Sequence, residues 1–209
     1  MWLDAYADKY QKINGFPIKL KVSNDKYEKG YLSLKPSTRS TYDIAMRDAT
    51  IDGQITMDNI EELIPGRTFT RDGIEDEIWI LQSANKFEFQ IDTKNINAIK
   101  QNCYVDVLRQ EFGEYKNIYT DIIAFVTMQS KDEKNFAAGT EDNTILTIQL
   151  QRFDSNQELP ETYELRNDDR IILKSLDKSS VRNVKVESIN SYAIPGVIML
   201  SGTFDTRTE

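Results

Sequence analysis

Histidine is absent from all 209 residues. Its absence removes the commonest general base, the commonest metal ligand and every Ser-His or Cys-His nucleophile pair. There is one cysteine, Cys103, so no disulfide can form within the chain. It sits in the alternating run Cys103-Tyr104-Val105-Asp106-Val107, where a buried, inert thiol is expected. Nine glycines and five prolines serve as turn signals, as at Asn14-Gly15 and Pro65-Gly66, and none builds a phosphate-cradling loop. No apolar run approaches the roughly 20 residues that cross a membrane as a helix. Met1-Trp2-Leu3-Asp4 lacks a basic stretch followed by an apolar core, so no signal peptide is expected, and use without secretion follows.

Carboxylates are plentiful, with 34 Asp and Glu, but they are not organised for chemistry. No Asp-x-Asp-x-Asp-Gly loop marks a calcium site. The densest cluster, Asp72-Gly73 with Glu75-Asp76-Glu77, reads as a solvated hairpin turn. A hydrolase using two carboxylates needs one of them set among apolar neighbours, and every acidic cluster here lies in polar sequence. No catalytic, cofactor-binding or metal-ligating residue is therefore expected, and the chain does not read as an enzyme.

What is present is β pattern. Nine Phe, ten Tyr and two Trp supply bulky core material, enough for one large β domain or two small ones. A motif of a polar turn followed by short apolar strands occurs twice. The first copy is Arg71-Asp72-Gly73, Ile78 to Ser83 and Cys103 to Leu108. The second is Arg166 to Arg170, Ile171 to Ser175, Val184-Lys185-Val186 and Val197 to Leu200. This is the grammar of small antiparallel barrels and sandwiches. Strands are expected near 18–22, 78–83, 103–108, 121–128, 144–153, 171–175, 183–189 and 197–201. Residues 18–22 and 31–34 read as a hairpin, and 87–91 as a further alternating strand.

The predicted organisation has three parts. Residues 1–66 hold a short helix, the hairpin and a long interaction loop over 37–66. Residues 67–130 form a first β unit and 144–209 a second, with 131–143 as linker. Trp2, Leu3, Tyr6, Tyr10 and Ile13 recur at near-helical spacing, so a short amphipathic helix is expected before Asn14-Gly15. At about 12 residues it needs a surface to lie on, either its own barrel or a neighbouring subunit. Trp2, Tyr6 and Tyr10, with Arg39, Tyr42 and Arg47 of the polar loop, are the candidate interface residues. Residues 1–50 hold nine Lys/Arg against six Asp/Glu, whereas the whole chain carries -8. An acidic body with a mildly basic end suits a protein partner better than specific nucleic-acid binding.

Thr144 to Leu150, followed by Tyr163-Glu164-Leu165-Arg166-Asn167-Asp168-Asp169-Arg170-Ile171-Ile172 and the strand pair 184–189 with 196–200, resembles a block in neck or head-closure proteins of tailed phages of Gram-positive bacteria. Asp76 to Ser83 followed by Asn102-Cys103-Tyr104-Val105 is similar to a second block of these stopper-like head–tail connectors. The sequence departs from the pattern at Ile171, where an aromatic is common, and at Tyr104, where an Asn follows the cysteine. The resemblance implies a β-barrel subunit without cofactor, located in the virion neck and assembled in the host cytoplasm. Its implied partners are copies of itself in a ring, the portal or adaptor, and the tail. Double-stranded DNA would pass through the ring without specific binding, and no membrane is involved. The alternatives are another phage structural part (tail terminator, distal tail or baseplate protein) and a β-sandwich binding module.

Overall fold

The computed structural model describes residues 15–35, 49–87, 90–130, 144–157 and 160–205. Among them are twelve strands and one short 3-10 turn, Ile60–Glu62. The strands are β1 (Phe16–Lys21), β2 (Tyr27–Leu34), β3 (Thr50–Met57), β4 (Thr68–Arg71), β5 (Ile74–Phe87) and β6 (Gln90–Lys100), then β7 (Cys103–Glu111), β8 (Glu114–Ser130), β9 (Thr144–Gln151), β10 (Arg170–Ser175), β11 (Val181–Ile194) and β12 (Val197–Phe204). They close into two separate barrels, ordered β1-β2-β3-β6-β5-β4 and β7-β8-β9-β12-β11-β10. Every pairing is antiparallel. The second order is the first advanced by six strands, so the fold is one topology used twice.

Alternation dictates each barrel's interior. In the first, Ile18, Leu20, Leu32, Ile55, Phe69, Leu81 and Ile96 are essentially inaccessible. In the second, Val105, Val107, Ile122, Leu146, Ile148, Leu150, Ile171 and Ile198 take the same place. Each such side chain contributes about 1.5–3 kcal/mol by leaving water.

Strands lie at the eight stretches expected near 18–22, 78–83, 103–108, 121–128, 144–153, 171–175, 183–189 and 197–201, several of them longer than the alternation suggested. The expected division at residue 66 is absent. Strands β1 to β3, assigned to a hairpin and loop, complete the barrel formed with β4 to β6. The first unit comprises Met1–Gln101, Arg152–Thr162 and Ile194–Val197, and the second Asn102–Gln151, Tyr163–Ala193 and Ile198–Glu209. The predicted first β unit, 67–130, is thus split between the two barrels, and β7 belongs to the second. The predicted second unit, 144–209, gives up residues 152–162 and 194–197.

The long loop assigned to 37–66 is also corrected, because Thr50–Met57 is a strand. It hid behind Asp52-Gly53-Gln54. Glycine is required at 53, since a Cβ there would lie 2.5 Å from the Ser33 carbonyl oxygen. The single strand expected over 87–91 is instead the end of β5 and the start of β6, with Phe87 opposite Gln90. The helix predicted over 2–13 and the linker over 131–143 lie outside the described residues.

Candidate functional site

The first barrel has two unlike ends. At one, Lys21 stands opposite Tyr27 and Thr68, and Gly30 opposite Met57. The 3-10 turn after β3 closes this end. Its Ile60 and the following Leu63 are buried in the same core as Val22 and Met57. The closure is stitched by cations. Arg67, almost fully buried, donates to the Val22 carbonyl and, at 3.0 Å, to Glu62 Oε2. Lys94 Nζ donates to the Leu63 carbonyl at 3.0 Å. Burial pushes the pKa of both cations down, since a charge is less favourable away from water.

The opposite end is open. Here a cavity of about 200 Å³ is lined by Phe16, Leu32, Leu34, Thr50, Ile51, Arg71 and Trp79. Phe16 has the same strand parity as buried Ile18 and Leu20, and Leu34 the same as buried Leu32, so both belong to the inward rows. Yet Phe16 is 50% and Leu34 52% exposed. Buried Leu32 and Trp79 also line it, and Trp79 is stacked on Phe69 with ring centroids 6.4 Å apart. Its indole Nε1 is buried without a hydrogen-bond partner, as is Arg71 Nε. The Arg71 guanidinium is held from its other side, where its Nη2 donates to Glu77 Oε2. Lys100 Nζ donates to Glu77 Oε1 at 2.6 Å. Hydrogen bonds from Lys100 and then Arg71 hold the Glu77 carboxyl below the usual carboxylate range. The site is an apolar mouth with one cation on its rim, and the two unpartnered N–H groups of its lining residues are themselves sealed from solvent. It is suited to an apolar body, and among the described residues that line it there is no acid–base or nucleophilic pair.

The second barrel's charged groups are structural in their geometry. Asp169 is buried and takes a bidentate grip from Arg109, with Nε at 2.8 Å and Nη2 at 2.9 Å. It also accepts from Arg166 N at 2.8 Å. That bond shapes the turn read in the sequence only as Asp168-Asp169-Arg170. Asp121, at φ 55, lies between Lys174 Nζ at 2.6 Å and Lys178 Nζ at 2.7 Å, which lower its pKa. Among the described residues no group of three or more acidic or sulfur ligands could hold a metal ion. Cys103 is buried, and burial pushes its thiol up to about 12.

Other apolar groups project into solvent where hairpins turn. Ile91 is 96%, Phe112 104% and Tyr192 90% exposed. Phe112 and Gly113 form the two-residue turn between β7 and β8, both at positive φ, 52 and 91. Such turns favour Asn, Asp or Gly, so an aromatic there is set against both local sterics and solvation.

The candidate interface residues Trp2, Tyr6, Tyr10, Arg39, Tyr42 and Arg47 lie outside the described residues. Sequence reasoning passed over the mouth because its members come from five strands. It passed over Phe112 because a lone aromatic beside glycine carries no periodicity. No family model, no curated protein and no solved structure matches this chain.

Proposed function

We propose that the chain is a structural, non-enzymatic subunit of a tailed-phage neck. In this reading it forms a ring of copies between the portal or adaptor and the tail. The observation that carries the reading is the placement of apolar groups. Both barrels are closed, so neither offers a bare strand edge for pairing. The large exposed apolar side chains Ile91, Phe112 and Tyr192 stand instead near hairpin turns. Side chains so placed are suited to contact with neighbouring subunits. The net charge of -8 adds support, because an acidic lumen repels DNA phosphates and lets a duplex pass without sticking.

The experiment is a particle phenotype. Particles assembled without the protein should package DNA, then leak it and fail to join tails. Emptied, tailless heads beside free tails are the expected result. A packed genome pushes outward, and the portal alone leaves an open pore. Particles that keep their tails and DNA but fail to adsorb would place the protein at the distal tail or baseplate instead.

A further inference from the structure

The hairpin joining β7 to β8 is an arm rather than part of its barrel's wall. Strand β10 pairs with β7 as far as Leu108, and β9 pairs with β8 from Ala124 onward. Beyond those points residues 109–111 and 114–116 pair with each other, and every residue from 110 to 117 is exposed. A two-stranded ribbon is at best marginally stable without a surface to pack on. Its tip carries Phe112, the most exposed large apolar side chain among the described residues. The φ of 52 at Phe112 is one that sterics disfavour for a bulky residue. Glu111 and Glu114 face each other across this turn, and like charges directly opposite are destabilising.

We propose that Phe112 of one copy seats in the open mouth of the first barrel of a second copy. The two surfaces match in size, chemistry and charge. The mouth's cavity of about 200 Å³ is lined chiefly by Phe16, Leu32, Leu34, Ile51 and Trp79, and an apolar cavity of ~150 Å³ already holds a benzene ring. Phe16 and Leu34 are half exposed, and an incoming ring covers them. The one charged residue in the lining is Arg71. Arg71 and Lys100 share the single carboxylate of Glu77, which leaves one positive charge in surplus beside the cavity. The acids of the neighbouring turn, Asp72 and Glu75, are drawn to Lys19 at 3.0 and 2.9 Å. A cation at this place relieves the opposed glutamates that flank Phe112. The turn beyond exposed Tyr192 fits less well, because it is already engaged: Gly196 N donates to the Gln82 carbonyl at 2.9 Å. Knob and socket are different surfaces, so the contact is head-to-tail, and such contacts close into rings or run on as filaments. This contact rests on the proposed ring for its partner, a second copy, and names the surfaces through which copies meet.

Mixtures of full-length variants, each carrying one added cysteine, test it. Cys103 is buried and stays in place. Glu114→Cys is mixed with Lys35→Cys, whose site follows Leu34 at the rim, or with Glu61→Cys at the closed end as a control. A disulfide forms only where Cβ atoms come within about 4.5 Å. Under mild oxidation the rim pairing should give mixed dimers several-fold faster than the control. Phe112→Ala on the Glu114→Cys chain should bring that rate down to the control's. Equal rates at the two ends, or a rim rate untouched by Phe112→Ala, would overturn the proposal. Sedimentation over a concentration series supplies a second reading. Phe112 is fully and Leu34 half exposed, so Phe112→Ala and Leu34→Asp leave the cores intact. Each should weaken self-association by roughly tenfold or more, as loss of an aromatic anchor or its pocket does. The double variant should be little worse than either single one, because both remove the same contact. Additive losses, or a native chain that stays monomeric throughout, would count against the contact. The particle phenotype still judges the neck role on its own, so the two readings fall separately.

Discussion

Two glycines separate the two physical reasons a site can demand that residue. At Gly196 a Cβ would fall 1.9 Å from the Leu81 carbonyl oxygen and 2.7 Å from Gly66 N. These atoms belong to a tight main-chain arrangement, in which Gly66 N donates to Leu81 O at 2.7 Å and Gly196 N to Gln82 O at 2.9 Å. Gly73 has open space around it but a φ of +83. Gly196→Ala should therefore cost about 2–3 kcal/mol through backbone displacement, and Gly73→Ala about 1 kcal/mol through its left-handed conformation. Urea unfolding ranks them, and equal losses would refute the steric argument. Asp177 gives a pH prediction. Hydrogen bonds from Ser175 and then Ser179 lower its carboxyl to about 2, from an ordinary value of 3.8. A depressed folded-state pKa means the carboxylate adds stability above the unfolded value and loses it as pH falls toward the folded one. The stability gap between the native chain and Asp177→Asn should thus be constant above about pH 5 and shrink toward pH 2. A gap that widens on acidification would reverse the sign and exclude this role.

At the scale of the element, the β7–β8 hairpin carries a cost that its own barrel does not explain. Glu111 stands opposite Glu114, and Phe112 between them is fully exposed at positive φ. Phe112→Asn places a residue that tolerates this conformation at the turn, so the isolated protein should gain about 0.5–1 kcal/mol. Under the proposed function the same change weakens assembly, read by sedimentation at matched concentration. A variant that is more stable and assembles normally would remove Phe112 from the interface.

The elements also mark how far the sequence could be read. Strands such as Thr144–Gln151 and Cys103–Glu111 were legible because one face is buried and alternation records it. Strand β6 was not, because buried Lys94 and the Asn and Lys residues around it break the binary pattern. That lysine faces inward to cap the Leu63 carbonyl, a tertiary reason no local window contains. That a β pattern recurs was legible, but not the extent of its copies, because Cys103–Leu108, read into the first copy, is β7 of the second barrel. Topology matches β5 with β11, whereas the pattern matched Ile78–Ser83 of β5 with Ile171–Ser175 of β10. The break between barrels carries no Gly or Pro, only Gln101 and Asn102. Asn102 opens the second barrel by bonding both main-chain groups of Val126 through its side chain, at 2.9 and 2.8 Å.

For the whole molecule, the repeat in topology does not make the first unit a contiguous piece of chain. Its own six strands end at Lys100, yet it also contains residues 152–162 and 194–197. Those late segments are built into it. Phe153 is buried, and its ring lies where a Cβ on Gly66 would meet it at 2.6 Å. Asn24 N donates to the Asn156 carbonyl at 3.2 Å, and Gly196 N to the Gln82 carbonyl at 2.9 Å. A fragment ending at Gln101 keeps every strand of the first barrel but leaves Gly66 uncovered and the carbonyl of Gln82 without that donor. Losing one large buried aromatic costs about 3–5 kcal/mol, a large share of what a domain of this size possesses. The fragment comprising residues 1–101 should therefore unfold at distinctly lower urea than the same barrel in the intact chain, followed by Trp79 emission in a Trp2→Phe background. Its Gly66 amide, whose bond to Leu81 O lies beneath Phe153, should exchange with solvent faster than in the intact protein. In the intact chain, Phe153→Ala should reproduce much of that loss without cutting the backbone. If the fragment were as stable as the full chain, the late segments would be surface decoration, and the first barrel would be an independent domain in sequence as well as in space.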